Sequence, residues 1–401
     1  MNKYLLPLLL LFAACSNDSD PVADKSSFTK IYDSNKFSAS FYPIDVKQTP
    51  DGGFLILGGR RLETIPGSED DFPGTYVMKT DEFGAFVSDN EIGTDLVNPV
   101  GLLESNGKYY FFGMNAANTQ TNLVEMDADG KMNTPILIGN SYPSAAAQDG
   151  VNFILLNYDH GNKQSVLSIV TPAGQVSKTQ SFSIGAGNDH IDDVIISHFL
   201  RTGKQIPFFV GKTTSGQYYF NGFYDYTLSL IFTDLNADDP QGEVHGYSDD
   251  GGLSMVLPVA GNQFAISRFN FGDNYVLPNT TLKTSGLSSS VNDDNLKGYS
   301  IPEIVPNAPV KIINTTIAAK EYLIYATNTR SRQIALLLYD KATGEFKGSH
   351  YLGFSNPFEV ASVINTADGG LAVCGTTYVA GRFPRICLFK LSSEQLSKII
   401  K

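Results

Sequence analysis

Asp51-Gly52-Gly53-Phe54-Leu55-Ile56-Leu57-Gly58 sets an acid and two glycines in front of four consecutive apolar residues. Asp-Gly and Gly-Gly supply the positive φ that a tight hairpin needs, and the apolar run has the length of a buried strand. The same arrangement returns at Asp250-Gly251-Gly252-Leu253-Ser254-Met255-Val256 and at Asp368-Gly369-Gly370-Leu371-Ala372-Val373-Cys374-Gly375. A second signal, an apolar residue plus Gly closing a strand-like stretch, recurs at Ile92-Gly93, Ile138-Gly139, Ile184-Gly185 and Leu352-Gly353. Gly93, Gly139 and Gly185 are spaced by 46 residues each, and Gly353 follows after 168, three times 56. The chain therefore repeats with a period near 50 residues.

Each period reads as four short strands separated by turn signals. In the first they fall at 44–51, 54–59, 75–80 and 85–92, in the second at 100–105, 109–115, 122–127 and 133–138, and a third unit runs from 144 to 184. Twelve further segments between Gly185 and Gly353, among them 206–211, 228–235, 263–271, 322–328 and 334–340, make three more units. The last unit holds 359–366, 371–377 and 386–392 and then runs short of chain, while 28–35 precedes the first unit as an orphan. Strands too short to stand alone, repeated in fours, predict an all-β fold: a seven-bladed β-propeller of four-stranded blades over 28–401, its last blade closed by the N-terminal strand. Such closure removes an open sheet edge. These turns and this period resemble the DGG-type propeller repeats of bacterial, Bacteroidota-type envelope lipoproteins, a resemblance that specifies fold far better than function. Residues 285–309 form a polar insertion, and strand register is least defined over 247–313. No helix longer than two turns is predicted; 393–401 is a short terminal helix or a duplicate outer strand.

The N-terminus reads as an address. Residues 1–14, MNKYLLPLLLLFAA, place one Lys before an apolar run and two small residues, the layout of a cleaved signal peptide and too short to span a bilayer. Phe12-Ala13-Ala14-Cys15 resembles the lipobox of bacterial lipoproteins, with Phe where Leu is usual. That resemblance implies that Cys15 is lipidated and that the protein sits in the cell envelope as an outer-membrane lipoprotein, on its periplasmic or surface face, touching the membrane through the anchor alone. Residues 15–27, beginning Cys15-Ser16-Asn17-Asp18-Ser19-Asp20-Pro21, are polar and acidic and predict a flexible tether.

The 401 residues carry 29 Lys+Arg against 41 Asp+Glu, a net charge of −12, which argues against a nucleic-acid partner. Only 17% are charged and 42% hydrophobic, so the chain has material for a large core. His160, His190, His198, His245 and His350 fall in different units, and no HExxH, GxSxG, P-loop or CxxC pattern occurs. The acidic stretches Asp234-Leu235-Asn236-Ala237-Asp238 and Asn292-Asp293-Asp294-Asn295 read as solvated turns, so no metal or cofactor is expected. Cys374 and Cys387 lie on neighbouring strands whose hairpin centre near 380–381 would oppose them, leaving either a disulfide or two buried thiols.

One rim of the ring, formed by the loops between second and third strands and between blades, gathers Arg60, Arg61, Arg330, Arg332, Arg382 and Arg385 with Tyr142 and Tyr378. Arginine beside aromatic rings suits carboxylates, anionic glycans or acidic surfaces. The competing reading is that Glu63, Glu69, Asp70 and Asp71 neutralise these charges on their own rim. Binding is accordingly expected at Arg60, Arg61, Tyr142, Arg330, Arg332, Tyr378 and Arg382. The expected function is a lipid-anchored binding protein for a glycan, peptide or envelope protein; the alternative is a polysaccharide lyase or hydrolase with its site at the channel mouth.

Overall fold

A computed structural model describes residues 26–33, 39–62, 72–185, 187, 189–237, 239–286, 289–291, 296–379 and 383–401. β1 (Phe28–Tyr32) precedes the first hairpin. β2 (Ala39–Gln48), β3 (Phe54–Leu62), β4 (Gly74–Thr80), β5 (Phe86–Ser105), β6 (Lys108–Asn115), β7 (Gln120–Met126) and β8 (Ile136–Ser141) follow as one seven-stranded antiparallel sheet. β9 (Pro143–Asp149), β10 (Asn152–Asp159), β11 (Gln164–Val170) and β12 (Val176–Ser183) form the next, and helix α1 (Asp189–Leu200) follows it. β13 (Phe209–Lys212), β14 (Tyr218–Tyr224), β15 (Thr227–Thr233) and β16 (Gly242–His245) build a third sheet; β17 (Gly251–Ala260), β18 (Gln263–Asn270) and β19 (Asp273–Thr281) begin a fourth. The polar insertion supplies two short strands: β20 (Ser289–Ser290) joins β16 in parallel, and β21 (Tyr299–Ser300) completes the fourth sheet beside β19. β22 (Val310–Ile317), β23 (Lys320–Asn328), β24 (Ile334–Asp340) and β25 (Phe346–Leu352) precede β26 (Phe358–Asn365), β27 (Leu371–Val379) and β28 (Phe383–Leu391), and α2 (Ser393–Ile399) ends the chain behind a Ser392 capping box.

The fold is an all-β propeller, but its sheets are not seven separate blades of four. Four sheets have four strands, one has five, and the remaining one has seven, so five discrete blades stand beside one fused sheet. The fusion comes from β5, whose 20 residues pair with β4 through Val97 and with β6 from Leu96 onward without a break in strand. The N-terminal strand does close the last sheet, in the order β1-β28-β27-β26, from Phe28 opposite Lys390 to Tyr32 opposite Ile386. Side chains reinforce that seam: Ser362 Oγ donates to Asp45 Oδ1 at 2.6 Å, and the Leu102 amide donates to Asp45 Oδ2 at 3.0 Å, so one carboxylate ties β2 to β26 and to β5.

Burial follows the layering. Second and third strands such as β3, β10 and β24 are buried on both faces because neighbouring sheets pack on either side, while the outer strand β12 is largely exposed. Of the glycines expected to close strands, Gly185 and Gly353 lie just beyond β12 and β25 with φ of 103° and 101°, whereas Gly93 lies within β5 and Gly139, at φ 113°, within β8 where its pairing with β7 shifts register.

The Asp-Gly-Gly motif acquires a physical reason. At the β2–β3 turn Asp51 accepts from the Gly53 amide and from Lys79 Nζ at 2.8 Å, and Lys79 also donates to Thr49 Oγ1 at 2.6 Å. At the β26–β27 turn Asp368 repeats this with Gly370 and with Lys390 Nζ at 2.8 Å. Both lysines are buried, and a Cβ on Gly53 or Gly370 would run first into the Thr80 or Leu391 backbone carbonyl and then stand 2.8 or 2.5 Å from the ammonium. The second glycine therefore lets the turn lie against the backbone of the neighbouring strand and the buried cation beside it. The third copy differs: Asp250-Gly251-Gly252 precedes the β17–β18 hairpin and does not turn it.

The cysteine register also differs from expectation. Cys374 pairs with Leu388 and Cys387 with Gly375, one residue out of opposition. A one-residue slip sends side chains to opposite faces of the sheet. Cys374 packs with Val46, Phe54 and Ile386, Cys387 with Leu336, Leu338 and Phe389, and both are buried free thiols.

Candidate functional site

The rim singled out by sequence is occupied by a helix. Asp189-His190-Ile191-Asp192-Asp193-Val194-Ile195-Ile196-Ser197-His198-Phe199-Leu200 buries Ile191, Ile195 and Phe199 at four-residue spacing and carries Asp189 and Asp192 in its first turn. Its three turns correct the expectation that no such helix exists; the apolar spacing and first-turn acids were the signal, embedded in a run otherwise rich in β-branched residues. Ile191, Ile195, Phe199 and Ile206 share one apolar cluster with Val97, Met114, Tyr158, Phe223, Leu228 and Phe269, which lie where strands of four sheets reach this rim.

Polar anchors hold the start of α1. Asp192 accepts from the Tyr158 hydroxyl, lies 2.7 Å from His160 Nδ1 and pairs with Lys163 Nζ at 2.5 Å. Burial alone would raise this carboxyl, but the hydrogen bonds from Lys163, Tyr158 and His160 outweigh it and hold it below the usual range. His198 is enclosed, accepts the Ile206 amide at Nδ1 across 3.0 Å, and is driven down to about 3 by burial, so it stays neutral and structural.

The helix ends in a Schellman arrangement: the Thr202 amide bonds to the Ser197 carbonyl and the Arg201 amide to the His198 carbonyl, both at 3.1 Å. Glycine usually fills the left-handed position of that motif; here Arg201 takes it, at φ 55°. An L-residue there costs about 1–2 kcal/mol. The Arg201 guanidinium lies 4.4 Å from the centre of the Tyr42 ring; burial, with the charge of Arg61, lowers its pKa against the opposing influence of Tyr42, Tyr378 and Glu359. Arg61 donates to the Leu200 carbonyl at the negative end of the helix dipole. Burial raises the Glu359 carboxyl while Arg201 opposes the shift; burial with the charge of Glu359 pushes Tyr378 up to about 12.

The residues nominated from sequence divide accordingly. Arg61 reaches the Leu200 carbonyl next to Arg201, and Tyr378 lies within electrostatic range of that guanidinium; no local pattern in the sequence marks a left-handed arginine. Arg60 on β3 pairs with Glu91 on β5 of the same sheet. Tyr142 is beneath α1, with its ring 5.0 Å from that of Phe199, and is a packing residue instead of an open rim contact. Arg330 donates from Nε to the Pro302 carbonyl at 2.8 Å, and Arg332, exposed at φ 66°, receives the Phe358 amide on its carbonyl; neither joins the Arg201 group. Arg385 is buried between Asp33 and the Ala39 carbonyl. Arg382, Cys15, residues 1–25 and the acids Glu63, Glu69, Asp70 and Asp71 lie outside the described residues, as do Asp238 and 292–295 of the acidic stretches. Among the described residues no group of three or more His, Cys, Asp or Glu side chains is arranged to hold a metal ion.

Comparison with known proteins bears on the fold alone. No protein-family profile matches the chain, and no curated protein sequence matches it. Among solved structures, one described as NanB plus Optactamide aligns with a TM-score of 0.50 at 10% identity, covering 94% of this chain and 72% of that one. The β-propeller domain of the Trilobed protease from Pyrococcus furiosus, described as having an open velcro topology, aligns at 0.46 and 8% identity, covering 87% of this chain and 93% of that one. At such identity the first likeness concerns fold alone, and the second carries no argument.

Proposed function

We infer that this protein is a lipid-anchored binding protein of the cell envelope, and that it takes an acidic glycan or an acidic peptide at the rim beside α1. The observation that carries this reading is the convergence of Arg201 and Arg61 with Tyr42 and Tyr378 at the end of the helix. Two guanidinium groups and two aromatic rings suit a carboxylate on a flat or ring-shaped carrier. The lipobox-like Phe12-Ala13-Ala14-Cys15 and the acidic tether support the envelope address.

Arg201→Gly is the informative variant, because glycine keeps the left-handed helix stop while removing the cation. The expected outcome is that polygalacturonate oligomers or Glu-rich peptides raise the melting temperature of the full chain and fail to do so with Arg201→Gly. Equal shifts in both proteins would refute the site.

A second reading has one specific observation behind it. Glu359 is an exposed carboxyl on β26 whose pKa is raised by partial desolvation against the opposing charge of Arg201, and a polysaccharide lyase or hydrolase using it at the same mouth is the alternative. Turnover of the acidic oligomers by the natural chain, abolished in Glu359→Gln with binding retained, separates the two.

A further inference from the structure

The third Asp-Gly-Gly stretch, which turns no hairpin, builds a different surface. The Tyr247 amide donates to the Gly251 carbonyl at 2.7 Å and the Asp250 amide to the Tyr247 carbonyl at 3.0 Å, folding residues 247–251 into a tight loop ahead of β17. The Phe271 amide reaches the Asp250 carbonyl at 2.9 Å and docks the tip of the β18–β19 hairpin onto that loop. The Tyr247 and Phe271 rings consequently lie 5.0 Å apart at 58°, yet they remain 54% and 63% exposed.

Backbone strain holds one of these rings outward. Phe271-Gly272 is the two-residue connection between Asn270 and Asp273, with φ of 46° and 91°. Positive φ at both positions is the pattern of a type I′ turn, which favours Asn-Gly and strains a bulky side chain at its first position. An aromatic ring in solvent at a strained position asks for a role outside packing.

We propose that Tyr247 and Phe271 form a stacking site for a neutral pyranose sugar. Two rings offer far less area than the roughly 800 Å² per partner that a stable protein contact buries, and they match the apolar face of one sugar ring. Hydrogen-bonding groups come from the same two turns: Asp250, whose carbonyl takes the Phe271 amide, and Asp273, which follows the Phe271-Gly272 pair, are both exposed. Carboxylate oxygens accept from sugar hydroxyls. Asp249, Asp250 and Asp273 outnumber Lys204, 3.7 Å from Asp249 and 3.8 Å from Asp250, together with His190, 3.7 Å from Asp249, so the local charge is negative and disfavours acidic sugars. The site is distinct from the Arg201 group and does not depend on it.

The test uses the full chain with xylohexaose, cellohexaose, mannohexaose and maltohexaose, and compares Phe271→Asn and Tyr247→Ala. Phe271→Asn relieves the strained turn, so it is expected to melt at or above the natural chain while binding the responsive hexasaccharide about tenfold more weakly or worse. Tyr247→Ala is expected to show the same loss and serves alone if the first variant fails to fold. The proposal is overturned if none of the four sugars binds, if either folded variant binds as the natural chain does, or if only acidic oligomers bind. A response confined to tetramethylammonium or a Lys-rich peptide would also overturn it, assigning the rings to a cation. Arg201→Gly, by contrast, is expected to leave neutral-sugar binding unchanged.

Discussion

At the scale of single residues, the buried lysines of the two Asp-Gly-Gly turns are the most exposed to test. Asp51→Ala or Asp368→Ala leaves an enclosed ammonium without its carboxylate, and each is expected to cost about 1–3 kcal/mol in urea unfolding, toward the low end because the carboxylates are half exposed. Lys79→Met removes charge and partner together and is expected to cost less than Asp51→Ala. Burial would raise Asp51, but hydrogen bonds from Lys79, Thr49 and Gly53 bring it to about 2. Its contribution is therefore present above the ordinary carboxylate range and fades as pH falls from about 4 toward 2. Glu243 has the opposite sign: burial, then the charge of Asp225, lifts it to about 7, with His245 Nδ1 2.8 Å from Oε1. The folded chain takes up a proton that the unfolded chain has released, so stability declines as pH rises from about 4.5 to 7. Glu243→Gln is expected to flatten that decline in unfolding free energies measured across the interval. Asp51 with its glycines was legible as a turn, whereas Lys79 was not, because the lysine belongs to a strand 28 residues on and only pairing brings it back.

Secondary-structure elements show where local pattern stopped informing. Alternation and turn residues marked nearly every strand, yet α1 was hidden, because Ile191, Ile195 and Phe199 sit among residues that favour strand equally well and the helix gains its stability by covering apolar strand ends at the rim. Asp192→Ala removes the acceptor shared by Tyr158, His160 and Lys163, and is expected to speed amide hydrogen exchange across 189–200 with little change in the global melting temperature. If exchange rises equally in all sheets, α1 is part of the cooperative core instead of a cover upon it. The β27–β28 hairpin makes the complementary case: its existence was readable, its register was not, and the slip of one residue separates Cys374 from Cys387. Burial pushes both thiols up, so peptides holding them are expected to resist maleimide labelling in the native chain and to label fully, without reductant, after unfolding.

Over the whole molecule, closure rests on β1 and on Asp45, which join the two ends of the chain. Removing residues 1–33 would leave β28 as an open edge, and the truncated chain is expected to melt well below the full one and to self-associate on size exclusion. An unchanged melting temperature would mean that the Asp45 and inter-sheet contacts suffice. By itself, the amino-acid sequence determined the class of fold, the period, most hairpin turns and the role of the first strand, since each depends on residues near one another in the chain. Tertiary structure alone decided that β5 fuses two repeats into one sheet, that α1 covers the rim, and that Arg61 spends a guanidinium nitrogen on a helix end 139 residues away. It also brought Arg201 to Tyr42 and Tyr247 to Phe271. Those pairings follow from how sheets pack around a ring, and packing between distant segments leaves no local trace in composition or spacing.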